Sequence, residues 1–518
     1  MKKYLNNLKK DVRGSVLPIM AASLIPILVI IGAGLDYARA GLAQAKLQEA
    51  VDSAALAGRR SMSKEQINTA VPQAQAFMNF NFSEGFYGTG DLTTTITRPD
   101  TGVVRVQAQT SLDTTLLKLI GIDSIPIAAV GEATQNMDNV DIILVLDTTG
   151  SMDQNINGKK KINALKDAVR GLYDELEPAM QELKTQNLRL RIGVVPYSST
   201  VNVGKILYGM NQNYIQTTNV PYYHWRRNVA NNGNVTWNFG ERTYNLSSYA
   251  NNGQLGNIGN HGSNQTAKWA GCVEERGTVD NITGNDSRNA PPADAMDLDP
   301  DLIPDGRNET KWKPYIFDPL NGSPNLYCPS EATRLTDLSR TEMESILTKL
   351  DPQGSTFHDI GMIWGLRMIS DGGVFGSSNP SIYNDRPVNR HIIYMTDGEI
   401  SAPVNSCYTN WWGQCTNSTA NYSNAYSGYG IEAFDRRVGA TSTNDNNNRH
   451  TKRFSMLCNA AKAKNITIWT VAFGTGNVDS LNRCASNSDQ AFTVNNSEEL
   501  IERFEEIGRN IGALRLSK

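Results

Sequence analysis

A chain of 518 residues is longer than one hydrophobic core usually supports, so two to four structural units are expected. The net charge of -3 and the pI near 6.1 provide no basic field to draw the chain onto nucleic acid, which argues against DNA or RNA as partners. Hydrophobic content of 39% and a mean hydropathy of -0.40 are those of a soluble protein, yet the apolar residues are concentrated near the start.

Residues 15–35 read SVLPIMAASLIPILVIIGAGL, 21 residues without a charge. About 20 apolar residues in a helix cross the ~30 Å hydrocarbon core of a bilayer, so this is a membrane-span candidate. Lys2, Lys3, Lys9, Lys10 and Arg13 precede it against a single Asp11. The positive-inside rule then keeps the N-terminus in the cytoplasm and exports the rest of the chain beyond the span. The run exceeds the core of a cleaved secretory signal and helix-forming sequence comes directly after it, which favours an anchor. All six cysteines, Cys272, Cys328, Cys407, Cys415, Cys458 and Cys484, fall in the exported part, where disulfides persist. Six cysteines allow 15 connectivities. Nearness in the chain favours Cys272 with Cys328, Cys407 with Cys415 and Cys458 with Cys484. A zinc site is the weaker alternative, since no CxxC pair or histidine cluster accompanies them.

After the span, DYARAGLAQAKLQEAVDSAALAGRR is rich in helix formers and predicts that the membrane helix continues outward as a stalk to about residue 60. Another helical pattern runs over residues 65–82 through Ala70, Ala74, Phe77 and Phe80. Alternation in DLTTTITRPDTGVVRVQAQTSL then predicts two strands about a PDTG turn. With LLKLIGIDSIPIAAVGEATQ these make a small α+β spacer or assembly module over residues 61–137.

From residue 138 the pattern becomes strand, turn, helix. VDIILVLD is a continuous apolar run suited to a strand buried on both faces, as in parallel sheets. LRLRIGVVPY, HIIYMTD and ITIWTVAF are further strand candidates. Ile162, Leu165, Val169, Leu172 and Leu176 form one apolar stripe at helical spacing, as do Leu500, Phe504, Ile507, Ile511 and Leu514. The alternation predicts an α/β domain over 138–518 with a doubly wound, mostly parallel, Rossmann-like sheet. Two insertions rich in Asn, Gly, Ser and Tyr interrupt it, at about 200–342 and 401–450. Structureless loops of that length are uncommon in compact domains, and Trp225, Trp237, Trp269 and Trp312 fall in the first, so it is expected to fold as a disulfide-stapled cap. Trp411 and Trp412, between Cys407 and Cys415, read as the core of a small disulfide loop or as an exposed contact patch.

Directly after the first buried strand, Asp147-Thr148-Thr149-Gly150-Ser151 offers one carboxylate and two hydroxyls from alternate residues of a turn. In open α/β sheets ligands collect at such C-terminal edges, and hard divalent cations want oxygen. Gly354 to Thr356, before a helix, and Met395 to Gly398, after a strand, add Thr356 and Asp397. In this order the DxTxS turn, the GST threonine and the TDG aspartate resemble the metal-ion-dependent adhesion site (MIDAS) of von Willebrand factor A (VWA) domains, over roughly residues 141–517. The resemblance implies that Asp147, Thr149, Ser151, Thr356 and Asp397 hold Mg²⁺, or Mn²⁺ or Ca²⁺, directly or through water. It also implies a position open to a partner's carboxylate, so a binding site and not an enzyme. Thr149 stands where the family often has Ser and keeps the hydroxyl. An exported phosphatase of the haloacid-dehalogenase type would need a second aspartate where Thr149 stands, and a threonine does no acid–base work near neutral pH. His358 and Asp359, without a GxSxG elbow, read as helix N-terminal residues. Asp153 and Glu399 flank the site, either as acceptors for metal-bound water or as solvated loop carboxylates.

Around the span, RGS before it and GLDYARAGLAQAKLQEAVDSAALAG after it are similar to the N-terminal segment of TadE/TadG-like proteins of bacterial Flp (Tad, tight adherence) pilus assembly. TadG-like members join such an anchor to a C-terminal VWA domain. Together the resemblances imply a single-pass inner-membrane component of a pilus assembly or secretion system, with its N-terminus cytoplasmic and its bulk periplasmic or surface-exposed. Its partners would be other proteins of that system, TadE/TadF-like minor pilins or pilus subunits. Related minor pilins are cleaved after a Gly that precedes a Glu at the fifth position; Ile19 stands there after Gly14, which argues against cleavage. A cell-surface VWA adhesin outside any pilus system is the alternative reading.

Overall fold

The computed structural model describes residues 16–62, 66–99, 102–134, 138–229, 235–255, 266–316, 327–404, 426–476 and 479–513. The chain divides into two compact units, Met1–Met137 with Leu514–Lys518, and Asp138–Ala513. The expected Cys407–Cys415 pair, the Trp411-Trp412 knot and the bond after Gly14 lie outside the described residues.

The first unit is organised by α1 (Val16–Ser61), one helix of 46 residues. Among the described residues it is the one helix long and apolar enough to cross a membrane. Its two halves differ in what they bury. Ile19, Ile25, Ile30, Ile31 and Leu35 are exposed, whereas Ala43, Leu47, Ala50, Val51 and Ala54 are fully buried. The second half is therefore no free stalk. It is the central element of the α+β module, packed against α2 (Ile67–Asn81) and a three-stranded antiparallel sheet of β1 (Thr93–Thr97), β2 (Val103–Asp113) and β3 (Ser124–Thr134). Alternate residues of β2, Val104, Val106 and Ala108, point into this core, as period-two patterning requires. Gln44 and Gln48 donate to the carbonyls of Ala128 and Val130 at 2.6 and 2.9 Å, so β3 runs alongside α1 in the same direction.

The second unit is a mixed α/β fold. Its main sheet has the strand order β6 (Thr333–Thr336), β5 (Leu190–Tyr197), β4 (Asn139–Asp147), β7 (Arg386–Thr396), β8 (Thr467–Phe473), β9 (Ala491–Val494), with Ile382–Tyr383 pairing β7. The pairs β4–β5, β4–β7, β7–β8 and β8–β9 are parallel, and β6 is antiparallel at the edge. All nine residues of β4 are buried, the outcome expected of an uninterrupted apolar run. Ile143 and Val145 share one core cluster with Ile360, Ile363 and Trp364 of α4 (His358–Ile369) and Phe454 and Leu457 of α5 (Thr443–Ala463). The helices α3 (Lys161–Thr185) and α6 (Ser497–Ala513) pack against each other. Gly508 allows that closeness, since a Cβ there would sit 2.8 Å from the Glu175 Cβ.

Two insertion boundaries are shorter than the sequence suggests. β6 lies inside the expected 200–342 insertion yet belongs to the main sheet, and α5 begins inside the expected 401–450 insertion. The first insertion is stapled by Cys272–Cys328, and Cys458–Cys484 ties α5 to the helix at Asp479–Cys484; both pairs are those favoured by nearness in the chain. It is not a separate cap. Trp269, Ile282, Leu298 and Trp312 join the same core as Tyr197 and Trp364, with the Trp312 and Trp364 rings 5.3 Å apart.

Candidate metal centre

Adjacent parallel strands β4 and β7 are in register with Leu146 opposite Met395, so Asp147 and the Thr396-Asp397 pair emerge side by side at the C-terminal edge of the sheet. Backbone hydrogen bonds then lace three loops together. Gln353 N donates to Thr148 O at 2.8 Å and Gly150 N to Gly354 O at 3.0 Å, fixing the second loop to the first. Thr356 and Ser401 exchange N–H···O bonds of 3.1 and 2.9 Å, fixing the second loop to the third.

Within this frame hydrogen bonds, one from a backbone amide and two between side chains, join four of the five expected ligands. Asp147 Oδ1 accepts from Thr149 N at 2.8 Å, the Thr149 and Ser151 hydroxyls are 3.0 Å apart, and Ser151 Oγ donates to Asp397 Oδ1 at 2.6 Å. Thr356 is buried on its loop and held by its backbone; among the described residues no side-chain bond links it to the other four.

Two groups outside the expected set complete the cluster. Thr396 donates from Oγ1 to Asp147 Oδ2 at 2.6 Å, and the buried Lys161 ammonium donates to Asp397 Oδ2 at 2.9 Å. Lys161 stands four residues before Leu165, on the apolar stripe of α3, and a lysine on a buried face is the signal that would have found it. Thr396 carries no such signal, being one more small polar residue beside a turn.

Burial sets the electrostatics. Asp147 is fully buried, and desolvation first, then the charge of Asp397, push its carboxyl up to about 7. His358 Nε2 lies 3.2 Å from Thr396 Oγ1. Burial lowers that imidazole to about 4, so it is neutral at pH 7. His358 and Asp359 are indeed the first residues of α4, and both are buried. Asp153 is an exposed carboxylate paired with Lys160 at 2.6 Å, the solvated alternative of the two expected for it. Glu399 is exposed and borders a cleft of about 360 Å³ lined also by His358, Asn447, Asn448 and Thr451.

The donors fit a hard cation. They are all oxygen, they stand on three loops laced by backbone hydrogen bonds, and among the described residues one ammonium is bonded to the two buried carboxylates, at Asp397. The repulsion that raises Asp147 is what a divalent ion would relieve.

Residues 14–74 match the family model described as "Putative Flp pilus-assembly TadE/G-like", which bears out the N-terminal resemblance. No curated protein matches the chain. Among solved structures, the pilus adhesin SpaC from Lactobacillus rhamnosus GG is 13% identical over 82% of this chain and 35% of its own, with a TM-score of 0.32. The vWF domain of the type V pili tip protein Mfa5 from Porphyromonas gingivalis is 11% identical over 74% of this chain and 97% of its own, with a TM-score of 0.33. The PilB minor pilin from Streptococcus sanguinis is 12% identical over 82% and 78%, also at 0.33. This chain thus spans about a third of the length of SpaC. Superpositions this loose have no bearing on the chemistry of the site.

Proposed function

We propose that this chain, TadE/G-like over residues 14–74, is a membrane-anchored component of a Flp (Tad) pilus assembly or secretion system that grips a partner through a divalent cation. The exposed apolar half of α1 anchors it in the bacterial inner membrane, with the N-terminus cytoplasmic and the bulk of the chain beyond the span periplasmic or surface-exposed. In this reading the second unit is a VWA domain, its parallel strands doubly wound with α3 and α6 on one face and α4 and α5 on the other.

The observation that carries the proposal is the buried carboxylate pair Asp147 and Asp397, ringed by hydroxyls and, among the described residues, bonded to one ammonium, Lys161. Asp147, Thr149, Ser151, Thr356 and Asp397 would hold Mg²⁺, or Mn²⁺ or Ca²⁺, directly or through water. Such an ion supplies a Lewis-acidic position for a carboxylate of a minor pilin or pilus subunit. The chain's own residues orient that exchange: Thr396 and the Thr149 amide hold Asp147, and Ser151 and Lys161 hold Asp397. The asparagine-lined cleft beside Glu399 offers the partner's flanking residues hydrogen bonds. The role is binding, not turnover.

The test is capture of pilus-system proteins by the full chain with Mg²⁺ and with EDTA. Capture is expected to be lost in EDTA and in the Asp147→Ala and Asp397→Ala variants. Variants that fold normally yet keep every partner and full pilus formation would remove the cation from the proposal.

A further inference from the structure

The connection from β2 to β3 is an apolar loop placed against the last uncharged turn of α1. Leu116 packs so closely on Gly32 that a Cβ there would lie 2.4 Å from the Leu116 Cβ. One turn further along the helix, the buried Asp36 accepts from the backbone N–H groups of Thr115, Leu116 and Leu117 at 3.1, 2.9 and 3.0 Å, pinning the short helix Leu117–Ile120. Arg39 reaches Thr115 Oγ1 at 2.8 Å and the Tyr87 carbonyl at 3.3 Å, which draws a second connection to the same level. Gly32 is about 6 Å from Asp36 along a helix axis, so Leu116 sits roughly one turn inside the uncharged run.

What these contacts leave outward is apolar. Leu119 is 77% exposed, Ile120 52% and Ile122 43%, with Phe86 and Tyr87 also exposed. Three large aliphatic side chains within four residues are an unusual offering to water. The stretch of α1 on which the loop packs carries its own exposed apolar residues, Ile30, Ile31 and Leu35. Two aromatic rings beside them and the cations Lys118 and Arg39 match the composition of a membrane–water interface, where rings sit at the headgroups and long cationic chains reach out.

We propose that this end of the first unit is a lipid-docking collar, with Leu119, Ile120 and Ile122 inserted among the acyl chains of the leaflet that α1 leaves and Phe86 and Tyr87 at its headgroup level. The collar rests on the reading of α1 as a membrane span. It fixes the depth and tilt of the unit, because the sheet's end and the helix meet the bilayer together.

The experiment places nitroxide labels one at a time at Leu119→Cys, Ile120→Cys and Ile122→Cys in the full chain. Cys407 and Cys415 are replaced by serine, the two described disulfides are kept, and the protein is reconstituted into phospholipid vesicles. Ile27→Cys reports the span and Gln73→Cys, on the exposed face of α2, reports water. The ratio of oxygen to nickel-chelate accessibility is expected to rise several-fold above Gln73 at all three loop positions and to stay below that at Ile27. A lipid-like value at Ile27 with water-like values at 119, 120 and 122 overturns the collar and leaves the anchor standing. Water-like values at Ile27 overturn both. Protection of the loop from both reagents means that protein covers it, a second copy or a pilus subunit, and also overturns the collar.

Discussion

The second unit buries two clusters of acidic side chains, and they are neutralised differently. In one, Asp297 bonds Arg453, whose Nε is also 3.7 Å from Asp359; His450 lies 2.7 Å from Asp359, and Glu275 accepts both its oxygens' bonds from Arg367 at 3.0 and 2.9 Å. Each acid there has a basic side chain within reach, and the cluster pins the first insertion to α4 and α5. In the other, the Lys161 ammonium bonds Asp397 alone, and the remaining partners of Asp147 and Asp397 are hydroxyls and an amide. The difference separates a cluster in which each acid has a basic partner from one in which, among the described residues, a single ammonium is bonded to one of two acids.

The largest expected effect breaks the first cluster. Arg453→Met leaves Asp297 without its cation in the interior and Asp359 with His450 alone, and should lower stability by about 3–5 kcal/mol, read as a drop in denaturant midpoint. A buried group outside both clusters sets the acid background. His391 is buried, and desolvation lowers its imidazole to about 4, below its usual 6.5. The unfolded chain therefore binds the extra proton first. This group's contribution should be full above about pH 6.5 and fall by about 3 kcal/mol as the pH drops toward 4, the share of the acid slope that His391→Phe removes while the buried His358 keeps its own.

Next in size is the cation itself. Mg²⁺ at a hundred times its Kd should stabilise the wild type by about 2.7 kcal/mol, an increment that Asp397→Ala abolishes in thermal melts. Lys161→Met, which removes the competing positive charge beside Asp397, should tighten Mg²⁺ about tenfold, or ~1.4 kcal/mol, by calorimetric titration. An unchanged Kd would show that the ammonium and the ion do not share that carboxylate. Smallest of all, Asp153→Asn should change stability and Mg²⁺ affinity by less than about 0.5 kcal/mol, as expected of an exposed pair.

How much of this was legible in the sequence depended on whether local pattern or tertiary contact decided the outcome. The strands β4, β5, β7 and β8 announce themselves because burial on both faces demands uninterrupted apolar runs. β6 and β9, four residues each with half-polar burial, do not, since an edge strand needs few apolar residues. α1 was legible as a helix, but its alanine-rich half reads the same whether it is solvated or packed. Asp147, Thr149, Ser151 and Asp397 were legible because turn residues after buried strands have a known place in α/β sheets. Their mutual contacts, and the intrusion of Lys161 from α3, are set by packing between segments more than 200 residues apart, which no local pattern encodes. The first insertion is the extreme case, held to α4 by Arg367, which bonds Glu275 and the Asp297 carbonyl and lies over the Trp312 ring.

The parallel course of β3 along α1 has a mechanical consequence. A force that pulls the start of α1 one way and the end of β3 the other meets two adjacent elements running in the same direction, so it loads their whole contact in shear. The backbone ladder joining β2 to β3 over its full length shares that load. Contacts arranged in this way yield together rather than peeling apart one by one, and α1, about 70 Å of unbroken helix, is the rod through which the tension passes.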